Sequence, residues 1–173
     1  MGMTLSEKII ARAAGADAVK PGEIVTCAVD LAMMHDSSGP RMAGKKLDEL
    51  GVPVWDMAKL VVITDHYTND EDPNSVEIQK ITHAWVAEKQ LPHFLPEQGI
   101  CHVVLPENGF LKPGLFCVGG DSHSTTAGAF GAFMVGIGAT ELASVLATGE
   151  IWVRVPETLR LDVSGCLSEG VAA

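Results

Sequence analysis

Apolar runs typical of strands alternate along this chain with segments that have the spacing of amphipathic helices. The order is helix-like TLSEKIIARAAG, strand-like IVTCAVDLAMM and KLVVIT, helix-like EIQKITHAWVAEKQ, strand-like GICHVVL and LFCVGG, helix-like TELASVLATG, and strand-like IWVRV and TLRLDV. Such alternation is typical of a parallel sheet covered by helices on both faces. The sequence therefore predicts one three-layer α/β/α domain over residues 1–173, with a small, mostly parallel sheet.

Helix starts are also readable from the sequence. Thr4 and Glu7 have the spacing of a capping box at the start of the first helix. Ser75 is the predicted N-cap of the helix EIQKITHAWVAEKQ.

Polar groups follow three of the apolar runs directly. They are His35–Asp36, Asp65–His66 and Asp121–Ser122–His123. Because the carboxyl ends of parallel strands line one crevice, we expect these groups to converge. A carboxylate beside an imidazole fixes the ring tautomer and raises its basicity, which suits proton transfer near neutral pH. His83 and His93 fall outside this pattern and are predicted to be structural or solvated.

Charge and composition exclude several kinds of partner. The chain has 173 residues, of which 47% are apolar and 20% charged, as expected for one folded domain. Its net charge of −10 disfavours nucleic acid and anionic membranes. The uncharged stretch 127–140 is shorter than the roughly 20 residues of a membrane span. Neither nucleic acid nor a membrane is an expected partner.

The cysteines Cys27, Cys101, Cys117 and Cys166 form no CxxC motif. The first three lie in apolar runs, which favours buried thiols in a reducing cytoplasm. Cys101 and His102 are adjacent on a predicted strand and would face opposite sides of it. No metal is therefore expected to be held by this chain alone.

The triplet Asp121–Ser122–His123 also admits a serine hydrolase. Adjacent residues seldom aim at one another as nucleophile and base, however, and no histidine follows His123. We therefore treat the hydrolase as the weaker hypothesis.

Four stretches carry a resemblance to a known family: MTLSEKIIARAAG, ITDHYTND, QGICHVVLPENGFLKPG and VGGDSHSTTAGAFGAFMVGIGATELASVLATGEIWVRVPET. Together they resemble the N-terminal part of aconitase-family large subunits, a family that includes 3-isopropylmalate dehydratase, homoaconitase, 2,3-dimethylmalate dehydratase and aconitase. The resemblance implies the first lobe of the family's iron–sulfur region. It also implies a hydro-lyase that isomerises a hydroxy di- or tricarboxylate by dehydration and rehydration, with 3-isopropylmalate in leucine biosynthesis as the first expectation. A non-catalytic binding or assembly module is the alternative of another class.

The resemblance, carried over position by position, assigns roles to the polar groups. The imidazole of His66 is expected to protonate the departing hydroxyl, and His102 is expected to pair with Asp121. Ser122 matches a serine that hydrogen-bonds a substrate carboxylate. The expected catalytic residues are Asp65, His66, His102, Asp121 and His123, and the expected substrate-binding residues are His35, Asp36 and Ser122.

The resemblance also implies a cofactor and a partner. The family's [4Fe-4S] cluster is held by cysteines of a Cys-Thr-Asn segment and a Cys-x-x-Cys motif, and none of the four cysteines here matches them. The cluster ligands are therefore expected beyond residue 173, and this chain alone is expected to hold no cluster and to be inactive. The expected partners are a hydroxy-carboxylate substrate and a swivelling domain, either fused or in a small subunit, with a cytoplasmic location.

Overall fold

The computed structural model describes residues 2–171 as seven strands and five α-helices joined by turns. The helices are α1 (Leu5–Ala13), α2 (Lys45–Leu50), α3 (Pro73–Lys89), α4 (Cys101–Glu107) and α5 (Ala139–Thr148). The strands are β1 (Ile24–Ala28), β2 (Leu31–His35), β3 (Leu60–Thr64), β4 (Phe94–Pro96), β5 (Phe116–Gly119), β6 (Phe133–Gly136) and β7 (Glu150–Arg154). A π-helical turn (Gly39–Gly44) and two 3₁₀ segments (Met57–Lys59 and Ser122–Phe130) connect them.

Five strands form one parallel sheet in the order β4-β3-β2-β5-β6. The chain runs from the central strand β2 outward to β3 and β4, and then continues on the other side of β2 with β5 and β6. Ligands of open α/β sheets bind at the carboxyl ends of the strands where the order reverses in this way. The reversal lies between β2 and β5, next to β3.

Alternate residues of the central strands bury the two faces of this sheet. On one face the fully buried Met34 and Val62 pack in a core with residues of α1, α2, α3 and α5. On the other face the fully buried Met33 and Val61 pack with α4 and with Ala127 of the second 3₁₀ segment. The predicted three-layer α/β/α arrangement is therefore confirmed.

The run IVTCAVDLAMM was predicted as one strand, and this prediction is wrong. It divides into β1, which pairs with β7 in a separate antiparallel ribbon, and β2, which lies in the parallel sheet. Asp30 stands at the break, where its carboxylate accepts the backbone N–H of Phe116 at 2.7 Å and pairs with Arg12. These bonds hold the chain where it changes sheets.

The run GICHVVL was predicted as a strand and is in fact helix α4. A short apolar run does not distinguish a buried strand from a buried helical turn. Gly99, at φ 118°, turns the chain before the helix, and the carboxylate of Asp65 accepts the backbone N–H of Cys101 at 2.7 Å. Cys101 and His102 therefore lie in the first turn of a helix, and the argument that placed them on opposite sides of a strand fails.

The uncharged stretch 127–140 holds the unpredicted strand β6, between the second 3₁₀ segment and α5. Among residues 2–171, no helix has both the length and the apolar character needed to cross a membrane.

The capping box of Thr4 and Glu7 is confirmed. Helix α3 begins earlier than predicted, because its N-cap is Asp72, whose carboxylate accepts the N–H of Ser75 at 2.9 Å.

The run TLRLDV was predicted as a strand, but it pairs with no strand in the described part of the chain. Leu159, Leu161 and Val163 are 90%, 88% and 98% exposed. Their alternation has the period of a strand, yet no neighbouring strand takes up the backbone hydrogen bonds.

Candidate functional site

The three polar groups predicted from the sequence meet at the carboxyl ends of β2, β3 and β5. Because β2 lies between β3 and β5, the loops that follow these strands are neighbours. A cavity of about 590 Å³ opens beside them. It is lined by Asp65, His66, Ile100, Cys101, His102, Asp121, His123 and Thr126. All five residues predicted as catalytic therefore share one cavity.

Asp65 and His66 form a tight pair at the end of β3. Nδ1 of His66 lies 2.6 Å from Oδ1 of Asp65, and the imidazole is 40% exposed while the carboxylate is buried. Burial raises the pKa of Asp65, but hydrogen bonds from the backbone N–H of Cys101 and from the His66 ring outweigh it and hold the pKa below its usual value. Asp65 is therefore an anion that fixes the orientation of the His66 ring and leaves Nε2 free for chemistry.

Asp121 follows β5 and faces the other side of the cavity. Its Oδ1 lies 2.7 Å from Nε2 of His102 and accepts the backbone N–H of His123 at 2.7 Å. Burial raises the pKa of Asp121, but these hydrogen bonds and the charges of His102 and His35 lower it to about 2. Gly136 allows the close approach of strand β6, because a Cβ there would lie 2.4 Å from the carbonyl oxygen of Asp121.

His35, the last residue of β2, packs its ring against the ring of His66 on the side away from the cavity. The two rings are stacked, with centroids 4.0 Å apart and planes 9° from parallel. Nδ1 of His35 accepts the N–H of Ser37 at 3.2 Å, so the proton of the neutral ring lies on Nε2, which donates to the carbonyl of Gly120 at 3.1 Å. Burial, and then the charge of His66, lower the pKa of His35. The His35 ring is therefore held neutral beneath His66.

Asp36 is fully buried, and its carboxylate binds the loop that carries the Asp65–His66 pair. Its carboxylate accepts the backbone N–H groups of His66 at 3.1 Å and Tyr67 at 2.8 Å, with that of Asp65 at 3.5 Å. The side-chain amide of Gln79, from α3, donates to Asp36 at 3.0 Å and to the carbonyl of Tyr67 at 2.7 Å. The structure does not place the Asp36 carboxylate where a ligand could reach it.

Ser122 and His123 lie at the exposed rim of the site, where the side chain of His123 is 78% exposed. Oγ of Ser122 lies 3.4 Å from Nδ1 of His123, and Oδ1 of Asp121 lies 3.3 Å from the same nitrogen. A hydrolytic triad needs the base to contact nucleophile and carboxylate through different ring nitrogens. This geometry does not favour the serine-hydrolase hypothesis.

Sequence reasoning did not identify Gln79, Ile100, Cys101 or Thr126 as part of this region. Gln79 gave a weak signal, since it is one of several polar residues of α3 and only follows the buried Ile78 in the sequence. Cys101 was missed because its segment was predicted as a strand rather than as a helix beginning at the cavity. His83 and His93 lie outside the cavity lining, in edge-to-face contact with Phe94 and Phe110.

The fold and the site define an α/β domain with an acid–base centre at the carboxyl edge of its parallel sheet. The chain matches the model of the aconitase family (aconitate hydratase) over residues 7–173, and it belongs to this family.

Individual relatives agree with this assignment. The chain is 47% identical to the "3-isopropylmalate dehydratase large subunit 1" of Methanopyrus kandleri, over 100% of this chain and 41% of that protein. It is 44% identical to a "Probable methanogen homoaconitase large subunit" of Methanothermobacter thermautotrophicus, over 94% of this chain and 39% of that protein. The chain thus spans about two fifths of the length of these relatives.

The thiols of residues 2–171 do not fit an iron–sulfur cluster, which requires several thiolates directed at one point. Cys27, Cys101 and Cys117 are buried in different elements, whereas Cys166 is exposed. Burial raises the pKa of Cys27 to about 11 and that of Cys117 to about 12. The groups of metal-binding side chains within this part of the chain contain histidines and aspartates only.

Proposed function

We propose that this chain forms part of a hydro-lyase that isomerises a hydroxy di- or tricarboxylate by removing and re-adding water, with 3-isopropylmalate as its substrate. The observation that carries the proposal is the Asp65–His66 pair opening on a cavity of about 590 Å³. That volume lies within the range of small-molecule sites. The names of the relatives support 3-isopropylmalate as the first choice.

The chemistry requires a proton for the departing hydroxyl group. Because Nδ1 of His66 faces the anionic Asp65, a protonated ring can donate from Nε2 to the leaving oxygen. In the reverse direction the same nitrogen takes the proton back from water. Asp65 holds the ring orientation in both directions and stabilises its positive charge.

The opposite wall positions the substrate. We assign His102 and His123, both beside Asp121, to this wall, with His102 held by the 2.7 Å contact to the carboxylate. The exposed hydroxyl of Ser122 is available to a substrate carboxylate. His35 packs against the His66 ring, and Asp36 binds the backbone of the loop that carries the Asp65–His66 pair. We therefore assign Asp36 as a positioning residue and not as the ligand contact predicted from the sequence.

The remaining parts of the enzyme lie outside the residues described. We propose that the [4Fe-4S] cluster is held by cysteines in sequence that corresponds to the rest of the relatives' length, since the thiols here do not fit it. The relatives are named large subunits, which supports a small subunit as partner. Buried, unpaired thiols support a cytoplasmic location.

The test of this proposal is His66→Asn in the complete enzyme with its partner subunit. Loss of a positioned acid should lower kcat by about 10² to 10⁴. The matched control is His93→Asn, because His93 lies away from the cavity and should leave kcat unchanged. Wild-type turnover in His66→Asn would remove this residue from the mechanism.

Homoaconitate-type substrates are the second candidate, favoured by the 44% identity to the homoaconitase-named relative. The ratio of kcat/KM for 3-isopropylmalate and for homocitrate decides between them. A complete enzyme that turns over neither substrate would favour the non-catalytic binding module.

A further inference from the structure

We propose that Arg41 is a positioning residue for His66, on which it acts through the ring of Tyr67. This inference rests on the proposed hydro-lyase function, in which His66 donates the proton. Arg41 lies on the π-helical turn that follows β2, and it is not among the residues that line the cavity. It therefore acts on the chemistry only through the residues that it contacts.

The Arg41 side chain joins two loops of the site. Its Nε donates to the carbonyl of Ser37 at 2.5 Å, in the loop after β2. Its guanidinium carbon lies 5.3 Å from the centroid of the Tyr67 ring, in the loop after β3. A guanidinium within about 6 Å of an aromatic ring is attracted to it, and more strongly where both groups are half-buried, as they are here. Arg41 therefore ties the two loops to each other.

Tyr67 is the residue through which this contact reaches His66. The backbone N–H of Tyr67 donates to Asp36 at 2.8 Å, and its carbonyl accepts the side-chain amide of Gln79 at 2.7 Å. These bonds hold the Tyr67 backbone, whereas the contact with Arg41 holds its ring. Because Tyr67 directly follows His66 in the chain, a displacement of Tyr67 also displaces the imidazole of His66.

Ser37 gives Arg41 a second route to the same imidazole. The N–H of Ser37 donates to Nδ1 of His35 at 3.2 Å, while its carbonyl accepts from Arg41. The N–H bond fixes the tautomer of His35, whose ring is stacked on that of His66 with centroids 4.0 Å apart. Arg41 thus holds both the loop that carries His66 and the residue that orders the ring packed against it.

The π-helical turn that carries Arg41 is closely packed at both ends. A Cβ at Gly39 would lie 2.8 Å from Sδ of Met34 in β2, and one at Gly44 would lie 2.8 Å from the ring of Trp85 in α3. Turns of this kind are rare and occur frequently at functional sites. Since the sheet and α3 hold its backbone, the turn should remain intact when the Arg41 side chain is replaced.

The first measurement is the NMR spectrum of the His66 ring in the 173-residue chain at constant pH, with His66→Asn used to assign the signals. The ring protons of His66 carry a ring-current shift because they lie over the His35 ring. Arg41→Met and Tyr67→Leu should both change this shift, whereas Tyr67→Phe keeps the aromatic face and should not. Lys45→Met is the matched control, because it removes an exposed cation directly after the same turn.

The second measurement is turnover by the complete enzyme with its partner subunit. We expect kcat to fall about 5- to 50-fold in Arg41→Met, since a displacement of about 1 Å can cost as much as about 10²-fold. KM should stay unchanged because Arg41 does not contact the substrate. Tyr67→Phe should keep the parent kcat. The double variant Arg41→Met/Tyr67→Leu should fall no further than the weaker of its two single variants, since both remove one contact.

Unchanged His66 signals or a parent-like kcat in Arg41→Met would overturn the proposal, and so would losses of kcat that add in the double variant. A parent enzyme that turns over neither 3-isopropylmalate nor homocitrate would count against the proposed hydro-lyase function alone. The NMR measurement needs no turnover, so it still decides whether Arg41 positions the His66 ring.

Discussion

Asp36 and Asp65 illustrate how two similar dipeptides acquire different tasks. Each aspartate stands beside a histidine directly after an apolar run, but the order is His-Asp at the end of β2 and Asp-His after β3. Successive side chains of a strand point to opposite faces. Asp36 lies in the interior, where it binds the neighbouring loop, whereas Asp65 borders the cavity. The sequence predicted that both would gather here and did not reveal which would be buried.

Removing the Asp36 carboxylate should destabilise the chain. Asp36→Ala leaves the N–H groups of His66 and Tyr67 without their acceptor, and each orphaned donor costs about 1 to 3 kcal/mol, so we expect a loss of about 2 to 6 kcal/mol. Gln79→Ala removes two hydrogen bonds but leaves the N–H groups of His66 and Tyr67 with their acceptor, so it should cost less, about 1 to 2 kcal/mol. Urea unfolding of both variants measures the difference, and equal losses would contradict the role given to Asp36.

Asp121 should make the stability depend on pH in the acid range. Its pKa is about 2 in the folded chain and about 3.9 when unfolded, so the unfolded state binds more protons between these values. The stabilisation is complete above pH 4 and is lost as the pH falls toward 2. We expect a contribution of about 1 kcal/mol, reduced by solvent at the cavity.

Asp121→Asn is the variant that tests this pH dependence. Its free energy of unfolding should fall less steeply than that of the parent between pH 5 and 2. Parallel curves for the two proteins would assign the acid sensitivity to other carboxylates.

At the scale of elements, strand β6 could not be predicted from the composition of its segment. The small residues around it gave no strand signal, yet Gly136 pairs with Gly119 and lies against the backbone of Asp121. Helix α1 with its capping box and the strands KLVVIT and LFCVGG were predicted correctly, because each has a strong local pattern, whereas helix α3 was predicted with the wrong N-cap. Helix α4 and the break at Asp30 depend on contacts with distant residues, namely Asp65 and Phe116, which local pattern cannot supply.

A methyl group at Gly136 should displace Asp121. The Cβ of Gly136→Ala would lie 2.4 Å from a backbone oxygen that cannot rotate away, and overpacking of this kind costs about 1 to 3 kcal/mol. Gly128→Ala is the matched control, since nothing lies within 4 Å of its added Cβ. The free energies of unfolding should fall for the first variant only.

At the scale of the whole molecule, apolar residues occur both in the buried core and in an exposed segment that follows β7. Leu146 is fully buried, whereas Leu161 is 88% exposed in the extended stretch after β7. A groove of about 650 Å³ between β6 and β7 is slightly larger than the cavity of the site, but its lining contains no histidine or aspartate. Volume alone does not locate function in this domain.

The contribution of the exposed segment is measurable. Leu161→Ser should change the free energy of unfolding by less than about 0.5 kcal/mol. Leu146→Ala should cost about 2 to 5 kcal/mol. Thermal or urea unfolding of the two variants checks this, and a loss above 1 kcal/mol in Leu161→Ser would show that the segment packs against the body.

The parallel sheet also has a direction, since its functional side chains come from loops at one edge only. The turn 108–115 enters β5 at the opposite edge, about 10 Å along the strand from Gly119, and exposes Asn108, Gly109 and Lys112, while Phe110 packs against the core. A fluorophore or an immobilisation handle introduced in that turn would report on the domain without entering its cavity. Because the strands are parallel, the functional side chains lie at the carboxyl edge of the sheet, and the amino edge is available for an attached group.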